Sequence, residues 1–252
     1  HPATMATASP VFHDGRVYVT AASFEENSAS ASNYPCCTFR GSVTALDATS
    51  GKVLWKTYVI PEEPQATGIS PHGAPKFGPA GAGIWNPATL DVKRRRLYVT
   101  TGDAYSRPAS INSDAVVALE LDSGAIAWSW QGTADDAYTN ACLNADVHPE
   151  ILAECGPDVD FGASAILRTL ENGSEVLLAG QKSGVLHVLN PDDGTLLWQK
   201  RLSPGGILGG IEWGIAADDD NVYVPISDVW ENLDAKGAAG GIVAIDFNTG
   251  KV

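Results

Sequence analysis

The sequence predicts an all-β fold, a β-propeller of four-stranded antiparallel blades, and three observations lead to that class. The 252 residues include 26 glycines and 15 prolines but only 18% charged residues, which favours short strands joined by turns over long solvated helices. Related segments recur four times along the chain. Each copy follows further short apolar runs, so that every repeat can supply the four strands of a blade.

The repeat is a strand, a tight turn and a second strand that closes on a large side chain. Its copies begin at residues 41, 115, 184 and 241 and read GSVTALDATSGKVLW, AVVALELDSGAIAW, GVLHVLNPDDGTLLW and GIVAIDFNTGKV. Alternating apolar residues suit a buried strand, Asp and Gly suit the reversal, and the closing Trp suits packing. The turn glycines at 51, 124, 194 and 250 are 73, 70 and 56 residues apart, a spacing that fits one blade with its loops.

The two remaining strands of each blade are predicted upstream of the repeat. Second strands are expected at 16–19, 96–99, 175–178 and 221–224, and first strands at 8–12, 85–90, 163–167 and 213–217. The blades then span roughly 1–60, 80–131, 160–201 and 210–252. The fourth copy stops at Val252, before the closing Trp, so we expect the chain to be part of a larger propeller.

Charge and hydropathy exclude two kinds of partner. There are 30 acidic and 16 basic residues, a net charge of −14, and the one basic run, at 93–96, is interpreted as a solvated turn. Binding to nucleic acid depends on clustered cations, so the sequence predicts no nucleic-acid partner. It contains no apolar stretch of about 18 residues, so no membrane span is predicted either.

The four cysteines favour an oxidising compartment, and we therefore predict a periplasmic or secreted protein. Cys142 and Cys155 are 13 residues apart in a loop-like region and are interpreted as a disulfide that closes this loop. Cys36 and Cys37 are adjacent. They could form a strained vicinal disulfide, remain as two thiols or pair with separate partners, and the residues alone leave these alternatives open.

The repeat A-x-D-x-x-[ST]-G-x-x-x-W resembles the tryptophan-docking repeat of the pyrroloquinoline quinone (PQQ) dehydrogenases. Residues 34–41, YPCCTFRG, and 180–184, GQKSG, look most like polyvinyl-alcohol dehydrogenases and related secondary-alcohol quinoproteins. This resemblance implies an eight-bladed propeller that oxidises secondary or polymeric alcohols. It also implies PQQ as the hydride acceptor, Ca²⁺ as a Lewis acid and a c-type cytochrome as the electron acceptor.

The resemblance also assigns residues to the metal and to the floor of the quinone site. Glu25, after a strand, matches a glutamate that ligates calcium, and Asp103 matches an asparagine ligand. Trp85, 18 residues before Asp103, matches the tryptophan stacked under the quinone. Glu25 could instead be a solvated loop acid, and Trp85 could be an ordinary core side chain.

Further residues are implied for catalysis and cofactor binding. Asp158, or its neighbour Asp160, matches the carboxylate proposed to take the alcohol proton, a task that needs an ionised carboxylate. Lys182 matches a cation beside the quinone oxygens, where it would stabilise the reduced form. The alternatives are turn aspartates and an ordinary hairpin lysine. Other residues expected near the cofactor are Cys36, Cys37, Arg40 and Trp213, the last with core packing as its alternative.

The sequence is compatible with two functions, one of an enzyme and one of a non-catalytic protein. The first is an alcohol dehydrogenase that uses PQQ and Ca²⁺. The second is a non-catalytic propeller that acts as an assembly or protein-interaction scaffold. The sequence favours the enzyme, because a scaffold has no use for Glu25, Asp103, Asp158 and Lys182 together at the mouths of the blades.

Overall fold

The computed structural model describes residues 1–144, 154–228, 240–247 and 250–252, and in these ranges the chain forms consecutive antiparallel sheets. The first sheet is followed by a separate hairpin. Its strands are β1 (Thr4–Met5), β2 (Val11–His13), β3 (Arg16–Ser23), β4 (Ser42–Asp47) and β5 (Val53–Tyr58), and the hairpin is β6 (Gln65–Ile69) and β7 (Pro75–Gly78). A helix, α1 (Glu25–Ser28), leaves the end of β3.

Three further sheets complete the described chain. The second contains β8 (Thr89–Asp91), β9 (Arg96–Thr100), β10 (Ala115–Glu120) and β11 (Ile126–Gln131), followed by a 3₁₀ helix (Asn140–Asn144). The third contains β12 (Ile166–Thr169), β13 (Glu175–Gly180), β14 (Val185–Leu189) and β15 (Leu196–Arg201). The fourth contains β16 (Gly209–Gly210), β17 (Ala216–Ala217), β18 (Asn221–Asp228) and β19 (Gly241–Asp246). The predicted all-β fold of four-stranded antiparallel blades is confirmed.

The register of the repeat is the same in the first three blades. Val117 of β10 pairs with Val99 of β9 and with Ser129 of β11. The pairing of the last two strands shifts by one residue just before the turn, between residues 45 and 46, 118 and 119, and 188 and 189. A bulge at one fixed position of each copy shows that the sequence repeat is also a repeat of backbone geometry.

Neighbouring blades are joined through the closing tryptophans. The indole of Trp55 donates to the carbonyl of Leu121 in the next blade at 3.3 Å, and Trp128 donates to Pro191 in the third at 3.2 Å. A Cβ placed on Gly124 or Gly194 would overlap these rings. The glycine of the turn is therefore required twice, for its positive φ and for the close approach of the tryptophan from the preceding blade.

The apolar core lies between consecutive sheets, as packing of blades around an axis requires. Tyr18 and Val43 of the first blade pack with Leu97 and Val117 of the second. Equivalent clusters lie between the second and third blades and between the third and fourth. Each blade thus buries both faces only when it has neighbours.

The basic run at 93–96 spans the turn between β8 and β9 and the first residue of β9, and its side chains pair with acidic residues. Lys93 Nζ lies 2.7 Å from Glu175 of the third blade, and Arg94 Nε lies 2.6 Å from Asp192. These cations therefore connect two blades at their outer ends. Within the described ranges, no helix has the length and apolar character needed to cross a membrane.

All four predicted first strands begin later than expected, since β2, β8, β12 and β17 start at residues 11, 89, 166 and 216. Trp85 and Trp213 precede β8 and β17 and do not lie in them. The segment before β8 bonds to neighbouring strands through its backbone, since Ile84 N–H donates to Ala21 and Gly83 accepts from Gly102. Both tryptophans are therefore held at the entrance to their blades, where they face a cavity.

Candidate functional site

A cavity of about 670 Å³, here called the main cavity, lies where the ends of the blades meet. Its functional side chains come from two kinds of position. One is the segment after the second strand of a blade, and the other is the segment before the first strand. These two ends are adjacent because the two strands are antiparallel, as the pairing of Thr89 with Tyr98 shows. The polar and aromatic residues that line the cavity include Glu26, Trp85, Asp103, Asp158, Asp160, Lys182, Glu212 and Trp213.

Three buried carboxylates form the polar centre of the main cavity. Asp103, Asp158 and Asp160 each offer an oxygen, and these oxygens lie within 4.8 Å of one another. Burial raises the pKa of Asp103 well above its usual range, and the negative charges of Glu26 and Asp158 raise it further. Among the described residues Asp103 Oδ2 has no hydrogen-bond partner. Such a set of hard oxygen donors suits a divalent cation.

Lys182 is the cation of this centre. Its Nζ lies 2.9 Å from Asp158 Oδ1, 2.8 Å from Asp160 Oδ1 and 5.2 Å from the centre of the Trp85 ring. Burial alone would lower the pKa of Lys182, but Asp160 and Asp158 outweigh it and raise that pKa above its usual range. The side chain is therefore positively charged at neutral pH and holds the two aspartates in place.

Asp158 has an environment that favours its protonated form. Burial and the neighbouring Asp160 raise the pKa of Asp158 to about 8, although Lys182 opposes this. Its backbone has φ of +52° and is fixed by Asp136, whose carboxylate accepts from the N–H groups of Asp158 at 3.2 Å and Val159 at 2.9 Å. A carboxyl group with a pKa near neutrality is suited to accept and release protons.

Helix α1 presents two consecutive glutamates, and only the second faces the main cavity. Glu25, expected as a calcium ligand, instead accepts from the backbone N–H groups of Thr38 at 3.0 Å and Phe39 at 2.7 Å. Tyr34 also donates to it, at 3.2 Å. Glu26 lines the cavity, where burial and Asp160 raise its pKa to about 7. The structure thus places Glu26 where the sequence analysis expected Glu25, because adjacent helical residues point in different directions.

Cys36, Cys37 and Arg40 were expected at the cofactor, but the structure places all three outside the lining of the main cavity. Cys36 and Cys37 are joined as a disulfide, and Cys37 is buried against Phe39 and Tyr105. The guanidinium of Arg40 donates to the carbonyls of residues 60–62 and lies 4.1 Å from the centre of the Tyr58 ring. These bonds hold the Arg40 side chain against the loop after β5, away from the site.

The remaining expected residues lie at the site. Trp85 and Trp213 both line the main cavity, with ring centres 6.4 Å apart and planes inclined at 76°. Trp213 remains 64% exposed, so it forms the rim, whereas Trp85 lies deeper, under Lys182. The loop disulfide between Cys142 and Cys155 is present, as expected.

Sequence reasoning did not select several residues that form the site. Glu212 lines the main cavity, where burial raises its pKa to about 7, and among the described residues its Oε2 has no hydrogen-bond partner. Tyr105 and Tyr138 also line the cavity, and Asp136 supports Asp158 from behind. Only its position directly before Trp213 indicated that Glu212 lies at the site. Tyr105, Tyr138 and Asp136 reach the site through contacts between segments that are far apart in the chain.

Comparison with known proteins identifies the class of protein to which the chain belongs. The PQQ family described as the β-propeller domain of glucose/ethanol/alcohol dehydrogenases matches residues 1–143. The chain therefore belongs to this family of oxidoreductases, which confirms the resemblance drawn from the repeat. The quinohemoprotein alcohol dehydrogenase ADHIIG from Pseudomonas putida HK5 is structurally similar, with a TM-score of 0.64 and 19% identity over 88% of this chain and 37% of that one. That likeness supports the propeller fold.

Among individual relatives, the chain is 43% identical over 250 residues to a polyvinylalcohol dehydrogenase of Pseudomonas sp. and 40% identical over 253 residues to that of Sphingopyxis sp. strain 113P3. These alignments cover 99% and 100% of this chain. The chain spans 38% of the length of each relative.

Proposed function

We propose that the whole protein oxidises secondary or polymeric alcohols with PQQ as the hydride acceptor and Ca²⁺ as the Lewis acid. One observation carries the proposal: three buried carboxylates, a lysine and an indole face converge on one cavity of about 670 Å³. Membership of the PQQ family and the names of the two relatives support the same chemistry.

The residues of the main cavity fit both groups. The volume is within the range of roughly 300–1,000 Å³ that is typical of sites for small ligands, and Trp85 offers a flat face for a planar ring system. Asp103, with its unpaired buried oxygen, together with Asp160 and Glu26, would hold a hard cation. When bound, the quinone supplies an acceptor for hydride, and the cation supplies Lewis-acid polarisation.

The chain's own residues would prepare the alcohol for oxidation. In its ionised form, which the neighbouring Lys182 favours, Asp158 takes the proton of the hydroxyl group on its carboxylate. Because burial and Asp160 raise its pKa to about 8, this ionised form becomes the main one only above about pH 8. Lys182 orients this carboxylate from 2.9 Å. Trp213 and Leu208 at the rim shield the reacting group from water.

We further propose a cellular compartment and an electron acceptor for the protein. The two disulfides fit an oxidising compartment, so we place the protein in the periplasm or outside the cell. A c-type cytochrome would accept the electrons, because the reduced cofactor must be reoxidised. A scaffold propeller needs no buried charges of this kind, and their convergence favours the enzyme over that alternative.

Reconstitution of the full-length protein tests the proposal. The cofactor-free protein is mixed with PQQ and Ca²⁺, and reduction of an artificial dye is followed with propan-2-ol and with polyvinyl alcohol. We expect turnover that requires both additions, and an Asp158→Asn variant slower by roughly 10²-fold or more. An Asp122→Asn variant, changed at an exposed ion pair, is the matched control. Absence of turnover with every secondary alcohol would overturn the proposed function.

A further inference from the structure

Asp136 is a buried carboxylate that lies against the backbone of the proposed proton acceptor. It follows β11 in the chain, is 0% exposed and does not belong to the lining of the main cavity. Each of its oxygens accepts one backbone N–H, from Asp158 at 3.2 Å and from Val159 at 2.9 Å. One side chain therefore binds two consecutive peptide units of the segment that carries Asp158.

The backbone of Asp158 needs such support. Its φ of +52° lies in the left-handed region, which is unfavourable for a residue with a Cβ. Hydrogen bonds to a carboxylate are stronger than those to a neutral acceptor, so the two bonds from this segment to Asp136 favour the conformation. The conformation decides where the side chain points, and in the structure Asp158 Oδ1 lies 2.9 Å from Lys182 Nζ.

The segment that contains Asp136 is itself held between two other parts of the site. Its carbonyl accepts at 3.3 Å from the N–H of Ala104, which directly follows Asp103 in the chain. The N–H of Gly156, two residues before the proposed proton acceptor, donates at 2.6 Å to the carbonyl of the residue after Asp136. A Cβ on Gly156 would lie 2.1 Å from Asp136 Oδ1, so only glycine permits this approach. Asp136 is thus fixed relative to both segments that carry aspartates of the main cavity.

We propose that Asp136 is a positioning residue of the alcohol-oxidising site, which holds Asp158 in the orientation that lets its carboxylate meet Lys182 and the reacting hydroxyl group. Asp136 touches neither substrate nor cofactor, because it lies outside the lining of the main cavity and its carboxylate binds backbone N–H groups. This inference rests on the proposed function, which assigns proton uptake to Asp158, and adds that Asp136 acts on the reaction only through that residue. Replacement of Asp136 should therefore affect proton uptake and not the binding of alcohol.

Steady-state kinetics of the full-length, reconstituted protein with propan-2-ol test this role. Asp136→Ala removes both acceptor oxygens, and we expect it to lower kcat about tenfold while KM stays within about twofold, because a displaced proton acceptor slows the reaction without weakening binding. Asp136→Asn keeps the shape and one acceptor oxygen, so it should recover part of this loss, and it tests the same role where the alanine variant folds poorly. Asp91→Ala is the matched control, since Asp91 is also buried and accepts the backbone N–H of Arg94 at 2.9 Å but lies outside the main cavity. We expect this control to keep the wild-type kcat.

A double-mutant cycle separates positioning from a general loss of structure. In the Asp158→Asn background, the further change Asp136→Ala should lower kcat by less than about twofold, because the carboxylate that Asp136 positions is already absent. A further loss of about tenfold in that background would overturn the inference, since Asp136 would then act by another route. Wild-type kcat in both Asp136 variants would overturn it as well.

Amide hydrogen exchange on the full-length, cofactor-free protein needs no turnover and separates this inference from the proposed function. We expect slow exchange at the N–H groups of Asp158 and Val159 in the wild-type protein, exchange at least about tenfold faster in Asp136→Ala, and no change in Asp91→Ala. Equal exchange in the wild type and in Asp136→Ala would overturn the inference. A protein that oxidises no alcohol but shows this Asp136-dependent protection would instead overturn the proposed function and leave the hold of Asp136 on Asp158 intact.

Discussion

At the scale of single residues, Lys182 organises the electrostatics of the site. Its ammonium group lies within 3 Å of Asp158 and Asp160, and its positive charge allows these carboxylates to approach each other in a buried place. Without it, burial and the negative charge of Asp160 would raise the pKa of Asp158 further. The lysine therefore positions Asp158, the proposed proton acceptor, and also affects how readily that carboxyl group gives up its own proton.

Burial also shifts the pKa of His187, a buried residue that contacts Gln181 next to Lys182. The residue is 3% exposed, and its ring lies 4.8 Å from the Trp130 ring and contacts Gln181 and Gln199. Burial lowers the pKa of His187 to about 4. The unfolded chain takes up this proton near pH 6.5 and the folded chain only near pH 4, so the stabilisation is complete above pH 6.5 and is lost as the pH falls to about 4.

We therefore expect the cost of His187→Gln to depend on pH. Urea unfolding at pH 7.5 and pH 4 gives the free energy of unfolding of the variant and of the wild-type protein. The difference between the two proteins should be smaller at pH 4 by roughly 3 kcal/mol, because only the wild type loses stability through this histidine. An equal difference at both pH values would contradict the assignment.

At the scale of elements, the short helix α1 assigns different tasks to two adjacent glutamates. Glu25 holds the loop that carries Thr38 and Phe39, whereas Glu26 faces the main cavity. Glu25→Gln replaces an oxygen that accepts backbone N–H groups with a donor, so it should lower the free energy of unfolding by about 1–3 kcal/mol. Glu26→Gln should leave stability nearly unchanged and raise the Ca²⁺ concentration needed for quinone binding about tenfold.

Urea unfolding and a calcium titration of both variants check this division. Each variant serves as the control for the other, because both make the same chemical change one residue apart. The opposite pattern, with unfolding affected by Glu26→Gln and calcium dependence affected by Glu25→Gln, would restore Glu25 as the residue at the site.

The turn glycines control how one blade packs on the next. Gly124 has φ of +72° and lies against the Trp55 ring, whereas Gly173 has φ of +81° with open space around its Cα. Gly124→Ala and Gly173→Ala share the cost of the backbone conformation, about 1–2 kcal/mol. Only Gly124→Ala also forces the tryptophan away, so it should cost roughly 1–3 kcal/mol more in thermal or urea unfolding. Equal losses would show that tryptophan docking does not stabilise the blade interface.

At the scale of the whole molecule, the repeat explains which features could be predicted. It fixes the order of strands, and the site residues follow from where strands begin and end. Asp103 and Lys182 come two or three residues after the second strands of their blades. Trp85 and Trp213 come before first strands. Because the repeat places these positions around one axis, the proximity of their side chains could be predicted from the sequence.

Other features of the site depend on the orientation of a helical turn and on the course of the loops, and the repeat determines neither. The choice between Glu25 and Glu26 depends on the orientation of one helical turn. Cys36, Cys37 and Arg40 lie in the loop between β3 and β4, whose course is set by contacts with the β6–β7 hairpin. Tyr138 reaches the site from the segment after β11, so only the three-dimensional structure shows it there.

We propose that the carboxylates and Lys182 of the main cavity form a calcium-dependent quinone site. Equilibrium binding of PQQ to the full-length, cofactor-free protein, followed by quenching of tryptophan fluorescence over a range of Ca²⁺ concentrations, tests it most directly. We expect one calcium-dependent site, with an Asp103→Ala variant that needs at least about tenfold more Ca²⁺ and an Asp122→Asn control that behaves as the wild type. Quinone binding with the same calcium dependence in Asp103→Ala and in the wild type would contradict it.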